Sequence, residues 1–415
     1  MVKIMKKITA FILAIVICLT FFNIKLVEVG ASGFVSSTAL QIFRTTKFAE
    51  ITAPSYAVYD YDNGQFITGK NMLEKRPVAS LVKMMTVYIA YEYIKLEKIS
   101  LEDLVDTSVT AASTVGTTAY INSGDKFTVE SALYAIIISS CNDVTVALAE
   151  HIAGTESEFV KLMNLHALGL GMENTQFIDC TGISNAGYTT AHDMALLSNA
   201  IIQKHCSVEN SPLNYMTLSK IPVDTSTFRN GTGVFNMYNT NNFIKFVPGS
   251  EGLKIGSTLE SMYCIAATYP DKATGRRLIV VLLGASDENV LYAETRRVFE
   301  YCLANYQLLE IQVDGELVKE DIKVTKGVDK SVGCVINGEF KQVMTIENKN
   351  KVVRKTELPD SLEAPVKKGD VIGKVVYTLD DEVIYELDII LTDDVERAGW
   401  FQIFIQWLLE WFGFE

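Results

Sequence analysis

Arg76-Pro77-Val78-Ala79-Ser80-Leu81-Val82-Lys83-Met84-Met85-Thr86 is the stretch on which the reading of this chain turns. An apolar run continues to about Ile99 and predicts a helix beginning near Ser80. Three residues are nearly one helical turn, so Ser80 and Lys83 share a face. A serine hydroxyl attacks poorly until a base takes its proton. A lysine one turn away can be that base once burial or a second cation lowers its pKa. The helix start also aims free N–H groups and a partial positive charge at Ser80, where an oxyanion would develop.

Two further stretches follow in chain order. Ser139-Ser140-Cys141-Asn142-Asp143 lies between the predicted helices Val129–Ile138 and Val144–Ile152, so a short break can present Ser140 and Asn142. Each also has a bland reading: Ser140 as a helix cap, Asn142 as a loop fastener. Gly252-Leu253-Lys254-Ile255-Gly256-Ser257-Thr258 leads into a strand-like run. Penicillin-binding proteins and class A β-lactamases are recognised by S-x-x-K, S-D-N and K-T-G together, and the set here is S-x-x-K, S-C-N and K-I-G. The chain resembles the low-molecular-mass penicillin-binding proteins that act as serine-type D-Ala-D-Ala carboxypeptidases. Met163-Asn164, Leu168 to Phe177, Thr190-Ala191-His192-Asp193-Met194 and Ala364-Pro365-Val366-Lys367-Lys368-Gly369-Asp370 carry the same resemblance, which covers roughly residues 35 to 400.

The resemblance implies roles. Ser80 attacks the carbonyl of the penultimate D-alanine of a peptidoglycan stem peptide, and β-lactams acylate it. Lys83 is the base, Ser140 relays a proton to the departing amine, and Asn142 binds the substrate amide. Lys254 supplies positive charge near the terminal carboxylate, while Gly256 and Ser257 complete the binding strand. The N–H groups of Ser80 and Ser257 form the oxyanion hole. No cofactor and no metal is expected. One departure from the family matters for the chemistry: its K-T-G threonine is Ile255 here. A hydrogen bond to a charged group is worth about 1.5–3 kcal/mol, so its loss predicts a roughly tenfold to hundredfold lower kcat/KM. Ser257 and Thr258 are the hydroxyls near enough in sequence to compensate. A weakly active or purely binding protein is therefore the alternative function. A β-lactamase is disfavoured, because no E-x-x-x-N segment occurs near residues 160–185.

The chain has 415 residues, 48% hydrophobic and 21% charged, a globular composition long enough for more than one core. Its net charge of −13 argues against nucleic acid as a partner. The cysteines (18, 141, 180, 206, 264, 302 and 334) show no C-x-x-C pair, and with four histidines a zinc site is not expected. Cys141, Cys264 and Cys302 sit in apolar runs and read as buried free thiols.

Residues 1–31 read as a secretory signal: Lys3, Lys6 and Lys7, then the apolar stretch Ile8 to Phe22, then Val29-Gly30-Ala31. Its removal takes the net charge to −16 and implies an extracytoplasmic protein. Residues 32–310 form the expected α/β (α+β) domain. Tyr56 to Tyr61 and Gln65 to Thr68 flank Asn63-Gly64, a two-residue hairpin signal with both turn residues at positive φ. Residues 101–206 read as mostly helical, with a capping box at Thr155 and a cap at Thr190. Strands return at Lys254–Ser257, Tyr263–Thr268 and Leu278–Gly284, and Glu288 to Leu309 reads as a helix. Strands at both ends with helices between imply an antiparallel sheet, which agrees with the family's β-lactamase/transpeptidase-like fold. Residues 311–392 alternate like a small β-domain. Residues 393–415 hold an amphipathic helix with Trp400, Trp407 and Trp411 and a polar stripe of Gln402, Gln406 and Glu410. Near 22 Å long, it falls short of the roughly 30 Å needed to span a bilayer. It reads as an anchor lying on the outer face of the cytoplasmic membrane.

Overall fold

The computed structural model describes residues 51–206, 220–224, 234–311 and 313–411. The expected signal segment lies outside them. All described residues belong to one unit, Phe43–Glu415.

Aromatic and β-branched residues make strand β1 (Ser55–Asp60), which turns back into β2 (Gln65–Lys70). The loop between them has four residues, Tyr61 to Gly64, because Asp60 pairs with Gln65. Only Gly64 takes positive φ there, whereas the two-residue hairpin required it of Asn63 as well. The Asp60 carboxylate prevents that: its Oδ1 accepts both the N–H and the Nδ2 of Asn63 and holds a longer turn.

A 3-10 turn, Ala79–Val82, leads into helix α1 (Lys83–Lys95). The helix stops before Ile99 because Glu97 enters the left-handed region at φ +55°. Glu97 N then bonds Ile94 O and Lys98 N bonds Tyr93 O, a Schellman ending. A short strand pair follows, β3 (Leu104–Asp106) with β4 (Lys126–Thr128), so residues 101–206 are not wholly helical. Then come α2 (Val129–Ile138), α3 (Asn142–Ala153), α4 (Glu156–Gly169) and α5 (Ala191–Ile201). Strands β5 (Lys220–Asp224) and β6 (Val234–Tyr238) pair with each other. The chain then returns to the main sheet with β7 (Leu253–Thr258), β8 (Met262–Pro270) and β9 (Arg277–Ala285), and α6 (Glu288–Asn305) follows.

The main sheet is antiparallel, in the order β2-β1-β9-β8-β7. β1 and β2 join the last three strands, as expected from strands at both ends. Leu278 to Leu283 of β9 are fully buried, since α6 covers one face of the sheet and α5 packs on the other. β7 is an edge strand, so half of its backbone groups point away from the sheet.

Among the longer helices, four open on a side chain that accepts the N–H three residues on: Thr128 for α2, Thr155 for α4, Thr190 for α5 and Asp287 for α6. Each cap is worth about 1 kcal/mol. Helix α3 is an exception: Cys141 holds its N-cap position without a side-chain bond.

Helix α6 ends at Asn305, not Leu309. Tyr306 to Ile311 becomes strand β10, paired with Phe340–Thr345, because pairing with a distant strand overrides local helical preference. Beyond β10 the strands are β11 (Leu317–Thr325), β12 (Ser331–Asn337), β13 (Phe340–Thr345), β14 (Val353–Glu357), β15 (Ser361–Glu363), β16 (Val371–Leu379) and β17 (Glu382–Leu391). Six of them form one sheet, β14-β16-β17-β12-β11-β15, over a separate apolar core.

Two side chains fasten this part to the first. Gln65 Nε2 donates to Lys341 O at 2.7 Å, and Val343 N donates to Gln65 Oε1 at 3.0 Å. Arg276 grips the buried Asp60 through Nε and Nη2, while its Nη1 donates to Tyr306 O at 2.7 Å. Helix α7 (Trp400–Trp411) ends the described chain, with Trp400, Phe401, Phe404 and Trp407 exposed. No helix among the described residues is long and apolar enough to cross a membrane.

Candidate active site

Lys83 Nζ stands 3.0 Å from Ser80 Oγ and donates to Thr181 O at 2.8 Å. The 3-10 turn puts Ser80 at the mouth of α1, and Lys83 is the first residue of that helix. Lys83 is only 1% exposed. Burial brings its pKa down to about 8, against the weaker opposing pull of Cys180, Cys141 and Asp179. Lys254, 3% exposed, is brought down to about 7 by burial and by the Lys83 charge. Both lysines line one cavity walled by Met84, Val87, Ile136 and Ile137, the apolar setting that disfavours two ammonium ions. The second cation expected near Lys83 is thus present, in Lys254.

Gly256 brings β7 against the nucleophile turn. A Cβ built there would come within 2.6 Å of Ser80 N and 3.2 Å of Leu81 N. The glycine of K-x-G is therefore required by closeness, not by φ.

Ser140 sits at φ +60° between α2 and α3. Its Oγ is buried and makes no hydrogen bond. That removes the capping role considered for it, since Cys141 occupies the N-cap. A strained serine with an unused buried hydroxyl, next in sequence to the Cys141 thiol that feels both lysine charges, suits a proton relay. Asn142 does fasten a loop. Its Nδ2 donates to Val115 O and its N to Thr117 O, both at 2.7 Å, while the neighbouring Asp143 accepts from Ala119 N and Ile121 N. The side-chain oxygen of Asn142 is the atom left to meet a substrate N–H.

Ile255 is half-buried and packs against the sheet core, with Ile265 opposite it on β8. Thr258 Oγ1 is committed to Ser261 Oγ at 3.0 Å and Asn185 Oδ1 at 3.2 Å. Ser257, two residues from Ile255 on the same strand face, is exposed. Of the two hydroxyls near enough in sequence to replace that of the missing threonine, Ser257 is the one with access.

Several motif-like stretches prove architectural. Asn164 pairs with the Phe177 backbone through both ends of its amide. Asp193 accepts from Asn174 N and Thr175 Oγ1, and His192 stacks on Phe66 at 4.3 Å. Sequence reasoning missed Thr181, whose contribution is a backbone carbonyl and leaves no residue signature. Cys141, Cys180, Cys264, Cys302 and Cys334 are buried and free. No metal-binding cluster occurs among the described residues.

A family model described as D-alanyl-D-alanine carboxypeptidase matches residues 42–287, and one described as the C-terminal domain of penicillin-binding protein 5 matches residues 306–397. The D-alanyl-D-alanine carboxypeptidase DacF of Bacillus subtilis is 32% identical over 380 residues, covering 90% of this chain and 93% of that protein. DacC of Escherichia coli is 27% identical over 396 residues, covering 91% and 94%. The crystal structure of DacD from Francisella tularensis is similar with a TM-score of 0.72 at 26% identity, over 85% of this chain and 95% of that one. The ampicillin-bound penicillin-binding protein D2 of Listeria monocytogenes is similar at 0.53 and 25%, over 61% and 98%.

Proposed function

The chain belongs to the D-alanyl-D-alanine carboxypeptidase family, and on that premise we propose that Ser80 is its nucleophile and Lys83 its base. It is a serine-type hydrolase that removes the terminal D-alanine of peptidoglycan stem peptides and binds penicillins. The observation that carries the assignment is the 3.0 Å separation of Lys83 Nζ from Ser80 Oγ, with the lysine buried.

In the proposed mechanism, neutral Lys83 takes the Ser80 proton as Oγ attacks the carbonyl of the penultimate D-alanine. The N–H groups of Ser80 and Ser257 hold the oxyanion. Ser140 passes a proton from the lysine pair to the departing amine, and D-alanine leaves. Asn142 holds the substrate amide, Lys254 the terminal carboxylate, and Gly256 the closeness of β7. Lys83 then takes a proton from the attacking water and gives it to Ser80 Oγ as the ester breaks, which restores the neutral lysine and the free hydroxyl. The nucleophile assignment is tested by intact-mass detection after penicillin treatment. Ser80 protein should gain one penicillin, and a mass gain on Ser80→Ala protein would sink the assignment.

The domain reading is part of the same proposal: a signal at 1–31, the catalytic domain at 32–310, a β-domain at 311–392 and an anchor at 393–415. The exposed aromatic face of α7 supports peripheral attachment outside the cytoplasmic membrane.

A further inference from the structure

The loop from Asp179 to Asn185 has no role in the mechanism above, yet it touches Lys83, the nucleophile turn and the end of β7. Asp179 Oδ1 accepts from Thr181 N at 2.7 Å, from Thr181 Oγ1 at 2.9 Å and from Gly182 N. Its Oδ2 accepts from Ser184 N at 3.0 Å. One carboxylate therefore ties the turn with four hydrogen bonds. Gly182, at φ +83°, presses against the nucleophile turn so closely that a built Cβ would lie 1.9 Å from Ala79 O. Asn185 reaches the end of β7 through Thr258.

What this turn presents to the site is the Thr181 carbonyl, which accepts from Lys83 Nζ at 2.8 Å. A neutral amine has two N–H bonds and one lone pair. Holding an N–H on a carbonyl turns the lone pair, and the lone pair must face Ser80 Oγ for proton transfer. We propose that Asp179 is a positioning residue for acylation: it fixes the Thr181 carbonyl that aims Lys83 Nζ at Ser80 Oγ. This rests on the reading of Lys83 as base.

Asp179 also acts by charge. The groups that bear on Lys83 are Lys254 from β7, Cys141 at the start of α3, and Cys180 and Asp179 from the loop side. Asp179 is the carboxylate among them, and it favours the ammonium form of Lys83. Removing the carboxylate should therefore do two separable things: misaim the amine, and let it lose its proton at lower pH.

The test is the rate of fluorescent-penicillin acylation of the full chain between pH 5 and 10. Asp179→Asn should acylate roughly tenfold or more slowly at its optimum, with its acid limb moved to lower pH. Asp179→Glu keeps the charge and loses the fit, so it should be slow with the limb unmoved. A wild-type rate in Asp179→Asn overturns the proposal. A slow Asp179→Asn with an unmoved limb also overturns it, reducing Asp179 to a loop brace. Should Asp179→Asn not fold, Thr181→Val deletes one of the four bonds and keeps the charge. It must acylate several-fold more slowly, and a wild-type rate there is fatal too. A Lys83→Ala protein with wild-type acylation would instead remove the base assignment beneath the proposal.

Discussion

Gly256 on the edge strand lies against the backbone of Ser80, with 2.6 Å between a built Cβ and the Ser80 nitrogen. Gly256→Ala must therefore push either β7 or the nucleophile turn aside. Acylation by fluorescent penicillin should fall at least roughly a hundredfold, as expected when a reacting group is displaced by about 1 Å. Labelling at the wild-type rate would show that the strand yields without moving Ser80.

Ile255→Thr should have two opposed effects. Removing apolar atoms from the half-buried site costs about 1 kcal/mol of stability. The new hydroxyl should raise kcat/KM on a D-Ala-D-Ala peptide by roughly one to two orders of magnitude. Unchanged kcat/KM would mean that Ser257 already does this work.

The lysine pair predicts the pH behaviour. With Lys83 brought down to about 8 and Lys254 to about 7, the coupled pair loses its first proton near the lower value and its second near the higher, and between them it shares one positive charge. Acylation should rise as the first proton leaves and fall as the second does. Stability follows with a definite sign. Both folded pKa values lie below the unfolded 10.5, so the unfolded chain binds more protons between about pH 7 and 10.5, and stability climbs with pH across that window. Lys254→Met should stabilise the fold by at least about 1 kcal/mol at pH 6, with most of the gain gone by pH 11. Thermal melts at the two pH values check this. An equal gain at both would exclude charge burial as its cause.

Deleting residues 399–415 should release the protein from membranes without loss of activity on a soluble peptide. The stripe of Gln402, Gln406 and Glu410 carries no cation, so attachment of the full chain should survive 1 M salt. Salt release would show that the attachment is electrostatic. Sedimentation of the truncated protein would place the anchor elsewhere.

What the sequence made legible followed local rules. The helix caps at Thr155 and Thr190 depend on one side chain and one nearby N–H, and both were readable. Ser80 and Lys83 were readable because helical spacing alone brings them together. Errors arose where a distant partner decided the outcome. Tyr306 to Ile311 leaves the helical pattern to pair with β13. The Asn63-Gly64 turn is the local exception, reshaped by the Asp60 carboxylate three residues before Asn63. The Thr181 carbonyl lies 98 positions along the chain from Lys83, and every residue type carries a carbonyl. No motif could have announced it.

The fastening of Gln65 to the Lys341 and Val343 backbone has a mechanical consequence. With Arg276 gripping the same junction, these ties restrain the relative motion that two domains joined by one chain otherwise have. The last tie before the terminal helix is Ala398 N to Lys326 O, and nothing lies within 4 Å of a Cβ built at Gly399. On the proposed attachment, Gly399 is then the pivot, and the catalytic serine swings above the membrane at the end of the two-domain arm. Fluorescence energy transfer from a dye on the catalytic domain to labelled lipid should report a spread of heights, and Gln65→Ala should widen it. A broad spread that Gln65→Ala leaves unaltered would place the play elsewhere in the arm.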